Sequence, residues 1–307
     1  GTGSRLKKPK PEMRQPKIFT TISDYSWSLF RQDALAGLTV ALVALPLSIA
    51  IAIASGATPA QGLVTAIIGG FVISLTSGSR VQIGGPTGAF IVVVYSVIAD
   101  HGYDGLVLAT LMAGAILMVA GFFRAGRLIA LVPEPVINGF TVGIAIIIAT
   151  SQLKDFLGLK IANLPAEFLP KMAVLAGEMP NSSLYAVGVA LLALVLMVVL
   201  RRWAPRSPSL VIGVAAGSIL AAMAALPVDT IASRFGELPA TLPVPTLPSI
   251  SAAKLLELLP SALIIAFLAG VESLLSAIVA DRMIEGHHRP NAEIMAQGYG
   301  NIASALF

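Results

Sequence analysis

The 307 residues predict an all-α polytopic membrane protein, and three observations carry the prediction. The chain is 56% hydrophobic and only 12% charged, against about 25% charged in a soluble domain, so a water-exposed fold has nowhere to put its apolar surface. Between Asp33 and Arg80 no residue is charged, a run long enough for two spans of about 20 residues each. Lysines and arginines then alternate between the two sides of successive spans. Fifteen fall on the side of the N-terminus, and five, Lys154, Lys160, Lys171, Arg234 and Lys254, fall on the other. That asymmetry orients the N-terminus to the cytoplasm and accounts for the net charge of +4 without any nucleic-acid partner. No cysteine is present, which excludes a disulfide framework or a thiolate metal site.

Residues 1–33 read as a polar, basic cytoplasmic tail ending in an interfacial segment, because Tyr25, Trp27 and Phe30 suit the headgroup boundary. Residues 34–307 form the membrane part. The turn Ser55-Gly56-Ala57-Thr58-Pro59 divides the first apolar run into spans 34–54 and 60–78, with a kink or unwinding expected at Pro46. After a third, shorter element come spans 105–123, 133–153, 183–201, 209–227, 258–280 and 291–307. A short interfacial helix fits residues 166–178. Pro239, Pro243, Pro245 and Pro248 enforce an extended linker before a short helix near Ser251–Leu258. The last span stops at Phe307 with no polar cap, as in a chain cut short.

The third element decides function. Val81–Gly85 reads as a short extended strand, and Pro86 suits the first position of a helix running to about Ala99. That helix spans only ~20 Å at 1.5 Å per residue, short of a ~30 Å hydrocarbon core. Its N-terminus therefore lies near mid-membrane, with the N–H groups of Gly88, Ala89 and Phe90 facing inward. Such a terminus carries about half a positive charge and binds anions without a basic side chain. Broken helices are tolerated in lipid where they line a cavity, as in transporters. Glycines 84, 85 and 88 could instead serve close helix packing, but packing alone does not require a helix to start mid-membrane.

Several stretches in order resemble the SulP family of anion transporters. They are Asp33–Val40 running into Ala44-Leu45-Pro46-Leu47, Ile83–Gly88, Asn138–Gly143, Ser151–Leu159, Gly270–Leu275 and Asn291–Gly298. The resemblance implies two inverted seven-span repeats with half-helices preceded by short strands, of which about the first nine spans are present. It further implies core spans at 34–123 and 258–307, gate spans at 133–227 and an elevator-like motion between them. A homodimer and a C-terminal STAS domain, absent from this sequence, are also implied. Within the family, the first five spans are most similar to the bacterial proton-coupled C4-dicarboxylate branch. Sulfate and bicarbonate carriers share the same motifs and are the alternative.

The candidate coupling residue is Glu272, an acid deep in an apolar span, where a carboxyl is expensive and by default faces a cavity. It can carry a proton together with the anion; otherwise it is a neutral structural group. Candidate substrate contacts are Thr87, Gly88, Ala89 and Phe90. Ser276 shares a helical face with Glu272, and Ser273 follows it directly, although either serine can bond back to its own helix. The resemblance adds Pro46, Leu47, Ser48 and Ile51 as pocket-lining positions. Arg80 reads as a snorkelling residue at the cytoplasmic edge, and His287-His288 as solvated surface. No phosphate-cradling Gly-Lys-Ser/Thr loop is present, against an ATP-driven pump. No nucleophile–base pair or acid cluster supports an enzyme, and no cofactor is expected.

Overall fold

The computed structural model describes residues 15–85, 87–126, 133–162, 164–165, 167–205, 207–236, 241–284 and 286–307. The helices are α1 Ile18–Thr21, α2 Trp27–Ala54, α3 Pro59–Thr76, α4 Ile91–Phe122, α5 Glu134–Phe156 and α6 Phe168–Glu178. They continue as α7 Leu184–Trp203, α8 Ser209–Met223, α9 Ile231–Phe235, α10 Ala252–Ile284 and α11 Pro290–Leu306. Among the described residues, five helical segments are long and apolar enough to cross a membrane. These are Trp27–Ala54, Pro59–Thr76, Gly88–Phe122, Leu184–Trp203 and Ala252–Ile284.

Local chemistry sets the boundaries. The Ser26 hydroxyl caps α2 by accepting from Leu29 N–H at 3.3 Å, so the expected interfacial segment is already the first turn of the span. Thr58 and Gln61 form a reciprocal capping box on α3, with Pro59 at its first turn. Prolines inside two long helices do not interrupt them. The helix runs on through Pro46 without unwinding, and the short helix expected near Ser251 is the opening of α10, continuous through Pro260. In both, the long apolar helix on either side outweighs one missing hydrogen bond. The linker at 241–250 is irregular as expected, tied to the end of α11 by Thr246 N–H on the Leu306 carbonyl.

The half-helix is present. A 3-10 turn, Gly88–Phe90, leads into α4, and α4 is broken at Gly102, where φ is 72° and ψ is 178°. Glycine takes that positive φ at no steric cost. Two elements thus share one helical stretch: a half-helix from 88 to 101 and a full span from 103 to 122. Pro86, the expected first helical residue, lies outside the described residues. No segment pairs as a β-strand among the described residues, and 82–85 have no regular structure. The short strand expected there has no partner strand to take its hydrogen bonds.

Helices α3, α4, α10 and α11 pack into one core, α2 lies on α3, and α7 pairs with α8. The crossings use small residues, which let helix backbones approach where lipid supplies no hydrophobic drive. Ala109, Ala113, Ala262, Ala277 and Ala296 are fully buried or nearly so. At the α4–α11 crossing Gly114 faces Gly298. A Cβ on Gly298 would stand 2.7 Å from Met118 Cγ and 2.8 Å from the Gly114 carbonyl oxygen. Gly298→Val is therefore expected to cost about 1–3 kcal/mol of overpacking, read as a lower unfolding temperature of the purified protein.

Residues 15–24, part of the expected tail and interfacial segment, are docked rather than free. Lys17 N–H donates to the Ser77 carbonyl at 2.9 Å. The Arg289 guanidinium donates to the Gln15 carbonyl at 2.8 Å and to the Thr20 hydroxyl at 3.1 Å. His288 is likewise not solvated surface. Its Nδ1 is 2.6 Å from Asp281 Oδ2, which also accepts from its backbone N–H at 2.7 Å. His287 and Arg80 are exposed.

Candidate functional site

A cavity of about 970 Å³ opens at the N-terminus of the half-helix. Pro46, Leu47 and Ile51 of α2 line it, together with Thr87, Gly88 and Ile91, while Ile147 and Ser151 of α5 close the opposite wall. Spans that are far apart in sequence therefore meet at the residues expected to bind substrate. The arrangement follows from the break: Thr87 is extended, with φ −132° and ψ 149°, and turns the chain into the helix.

Only part of the expected N–H cradle is free. The Thr87 hydroxyl oxygen accepts from Ala89 N–H at 3.2 Å, and the Thr87 carbonyl accepts from Phe90 N–H at 3.2 Å. Gly88 N–H has no hydrogen-bond partner among the described residues. The N-cap side chain and the tight 3-10 turn consume the donors that an uncapped α-helix would leave open. Gly88 also has room beside it, since a Cβ would meet only Ile147 Cγ2, at 3.4 Å. Phe90 turns away and packs on the hydrophobic core with Val97 and Leu117.

Glu272 of α10 does not line the cavity but lies beside Thr87, which does. The Thr87 side chain is its hydrogen-bond partner, and its Oε2 is buried with no partner among the described residues. A carboxyl oxygen buried without a partner beside Thr87 can take a proton. None of the three expected serines, Ser48, Ser273 and Ser276, lines the cavity. Ser276 is exposed, and Ser48 is buried in α2 without facing the cavity.

Ser273 instead belongs to a polar network that sequence reasoning missed. Its hydroxyl donates to Glu293 Oε1 at 2.9 Å and accepts from Gln297 Nε2 at 2.9 Å and Gln82 Nε2 at 3.1 Å. Glu293 Oε2 accepts from the Ser77 hydroxyl at 2.6 Å and from Gly78 N–H at 3.0 Å. Glu293 is completely buried. Glu272 is thus not the sole acid inside the membrane part. The available signal was its place just inside a helix that Pro290 opens, where a negative charge meets the helix dipole. The network clamps the α3 end and the segment before the half-helix onto α10, one residue from Glu272. No group of three or more His, Asp or Glu suited to a metal exists among the described residues.

The sequence pattern of the sulfate permease family matches residues 30–307. The chain belongs to that family. Putative sulfate transporter YvdB of Bacillus subtilis is 40% identical over 285 residues, which cover 92% of this chain and 54% of the relative. Bicarbonate transporter BicA of Picosynechococcus sp. is 31% identical over 295 residues, 90% of this chain and 50% of that protein. The chain thus spans about half the length of these curated relatives. The solved transmembrane domain of a cyanobacterium bicarbonate transporter BicA superposes with a TM-score of 0.69 at 31% identity, covering 92% of this chain and 73% of that one. Murine Slc26a9, an anion transporter solved in the inward-facing state, shares the fold with a TM-score of 0.71 at 16% identity, over all of this chain and 55% of its own. This sulfate permease family member is a multi-pass membrane protein of a transporter family, not an enzyme.

Proposed function

We propose that the chain is the anion-binding part of a secondary active carrier for sulfate or bicarbonate, with the anion held at Gly88. The observation that carries this is the meeting of the half-helix N-terminus with the α2 residues Pro46, Leu47 and Ile51 at one cavity, with the buried Glu272 carboxyl beside Thr87 and outside the lining. A free N–H at a helix N-terminus is suited to an oxyanion, and Glu272 in its protonated form removes a like charge from the site. The relatives named above carry sulfate or bicarbonate in their names, which favours those anions over the C4-dicarboxylate expected from the first five spans. In this proposal the N-terminus is cytoplasmic, so that the cavity, extending to Lys154, Lys171 and Arg234, faces outward. The packed group of α2, α3, α4, α10 and α11 then moves as the core domain, elevator-like, against the gate spans. Assembly as a homodimer in the inner membrane, with a STAS domain elsewhere in the full-length protein, completes the proposal.

Uptake of labelled sulfate, bicarbonate and fumarate by proteoliposomes of the full-length protein, with and without a pH gradient, tests it. Sulfate or bicarbonate uptake supports the assignment, fumarate uptake restores the dicarboxylate branch, and no uptake of any anion rejects the carrier. Glu272→Gln should keep anion binding while uptake loses its response to the proton gradient. An unchanged response removes Glu272 from the coupling role.

A further inference from the structure

The outer part of the same cavity contains a cation without an anion. Lys171 sits on α6 four residues after its N-cap, Glu167, and the helix turns Lys171 and Leu175 inward. The residue is only 6% exposed, yet it lines the cavity whose inner end is Thr87 and Gly88. No carboxylate pairs with its ammonium, and no acceptor takes its protons, among the described residues. The other cations on that wall are occupied. Arg234 is paired with Asp155, and the Lys154 ammonium donates to the Ile161 carbonyl.

The Lys171 stem is buried while its nitrogen is not among the buried side-chain atoms, so the ammonium reaches the cavity as a snorkelling lysine does. Desolvation alone holds the Lys171 ammonium below the ordinary lysine value, with no opposing carboxylate. Asp100, Glu167 and Asp229 also line the cavity but leave Lys171 unpaired. The ammonium is thereby left for an anion from solution.

We infer that Lys171 is the binding residue of a second, outer anion subsite, which holds the incoming oxyanion by an ammonium hydrogen bond before it reaches Gly88. The inference rests on the carrier proposal for what the anion does next, but not for whether it binds. The two subsites differ in kind. The inner one offers a backbone N–H and no cation; the outer one offers a full charge that can make a charge-assisted hydrogen bond to the anion.

Initial rates of sulfate and bicarbonate uptake by the full-length protein, measured against external concentration, test the subsite. Lys171→Gln should raise KM about ten-fold with kcat within about two-fold, the loss of one charge-assisted contact, and should flatten the dependence on external salt. Lys171→Arg should keep KM near the wild-type value. An unchanged KM in Lys171→Gln overturns the inference, and so does a fall in kcat alone, which marks a structural lysine. Binding is read without transport in a Gly88→Arg background, where the inner site is blocked. There sulfate should still raise the unfolding temperature, and adding Lys171→Gln should abolish that rise. If wild-type protein moves no anion while this shift persists, the carrier proposal falls and the subsite stands. If transport occurs and the shift is absent, the subsite falls alone.

Discussion

Gly88→Arg should reduce anion uptake to background while the protein remains folded. Gly88 is the residue whose N–H stays free at the head of the half-helix, and its open side faces the cavity across from Ile147. An arginine there projects a guanidinium into the space the anion needs. Glu272 meets the neighbouring Thr87 side chain, so the new charge has a carboxylate to pair with. It then replaces both the substrate and the coupled proton, and a loss of at least roughly 100-fold in uptake is the expected scale. Because a Cβ at Gly88 makes only an ordinary contact, Gly88→Ala should keep the fold and much of the uptake. Gel filtration and thermal unfolding separate loss of the site from loss of the protein. Wild-type uptake in a folded Gly88→Arg protein would remove Gly88 from the site.

The half-helix was legible because its signals are local. A Gly-Gly-Pro-Thr break inside an apolar stretch, followed by too few apolar residues to cross, needs no knowledge of neighbours. The same holds for the turn Ser55-Gly56-Ala57-Thr58-Pro59, after which a capping box opens α3. What stayed hidden depends on tertiary partners. Counting residues placed Ser276 on the face of Glu272, but whether that face meets a cavity or the outside is decided by which helices pack beside α10. Ser273 points to Glu293, 20 positions away, and Glu293 to Ser77, 216 positions away. No periodicity encodes such pairs. The N–H groups of Ala89 and Phe90 were lost to a third kind of detail: one threonine side chain rotates back onto its own turn to take the first, and the carbonyl of the same residue closes the 3-10 turn on the second. His288 was misjudged for a related reason: two histidines in a polar loop look solvated until Asp281, seven residues earlier, turns out to hold one of them.

Glu293→Ala should destabilise the protein more than any change at the cavity, by about 3–5 kcal/mol, because it strips the acceptor from three buried donors at once. The Ser77 hydroxyl, Gly78 N–H and Ser273 hydroxyl all converge on this carboxyl, and water cannot readily replace it at a fully buried site. Glu293→Gln is the sharper test of how the network works. The amide has one oxygen where the carboxylate has two, and its NH2 must face either Ser77 and Gly78 or Ser273. In the first orientation it confronts a backbone N–H that cannot turn round. In the second it confronts a hydroxyl already accepting from Gln82 and Gln297. Either way one donor is left facing another, and about 1–3 kcal/mol should be lost, read as a lower unfolding temperature in detergent. The functional consequence follows from where the clamp sits. Ser273 is next to Glu272, and Gln82 belongs to the segment that leads into Thr87, so the same hydrogen bonds fix the two residues that meet at the anion site. A Glu293→Gln protein that survives purification should therefore show weakened uptake although Glu293 touches no part of the cavity. Unfolding and uptake both at wild-type values would mean that the carboxyl is not what holds α10 against the half-helix.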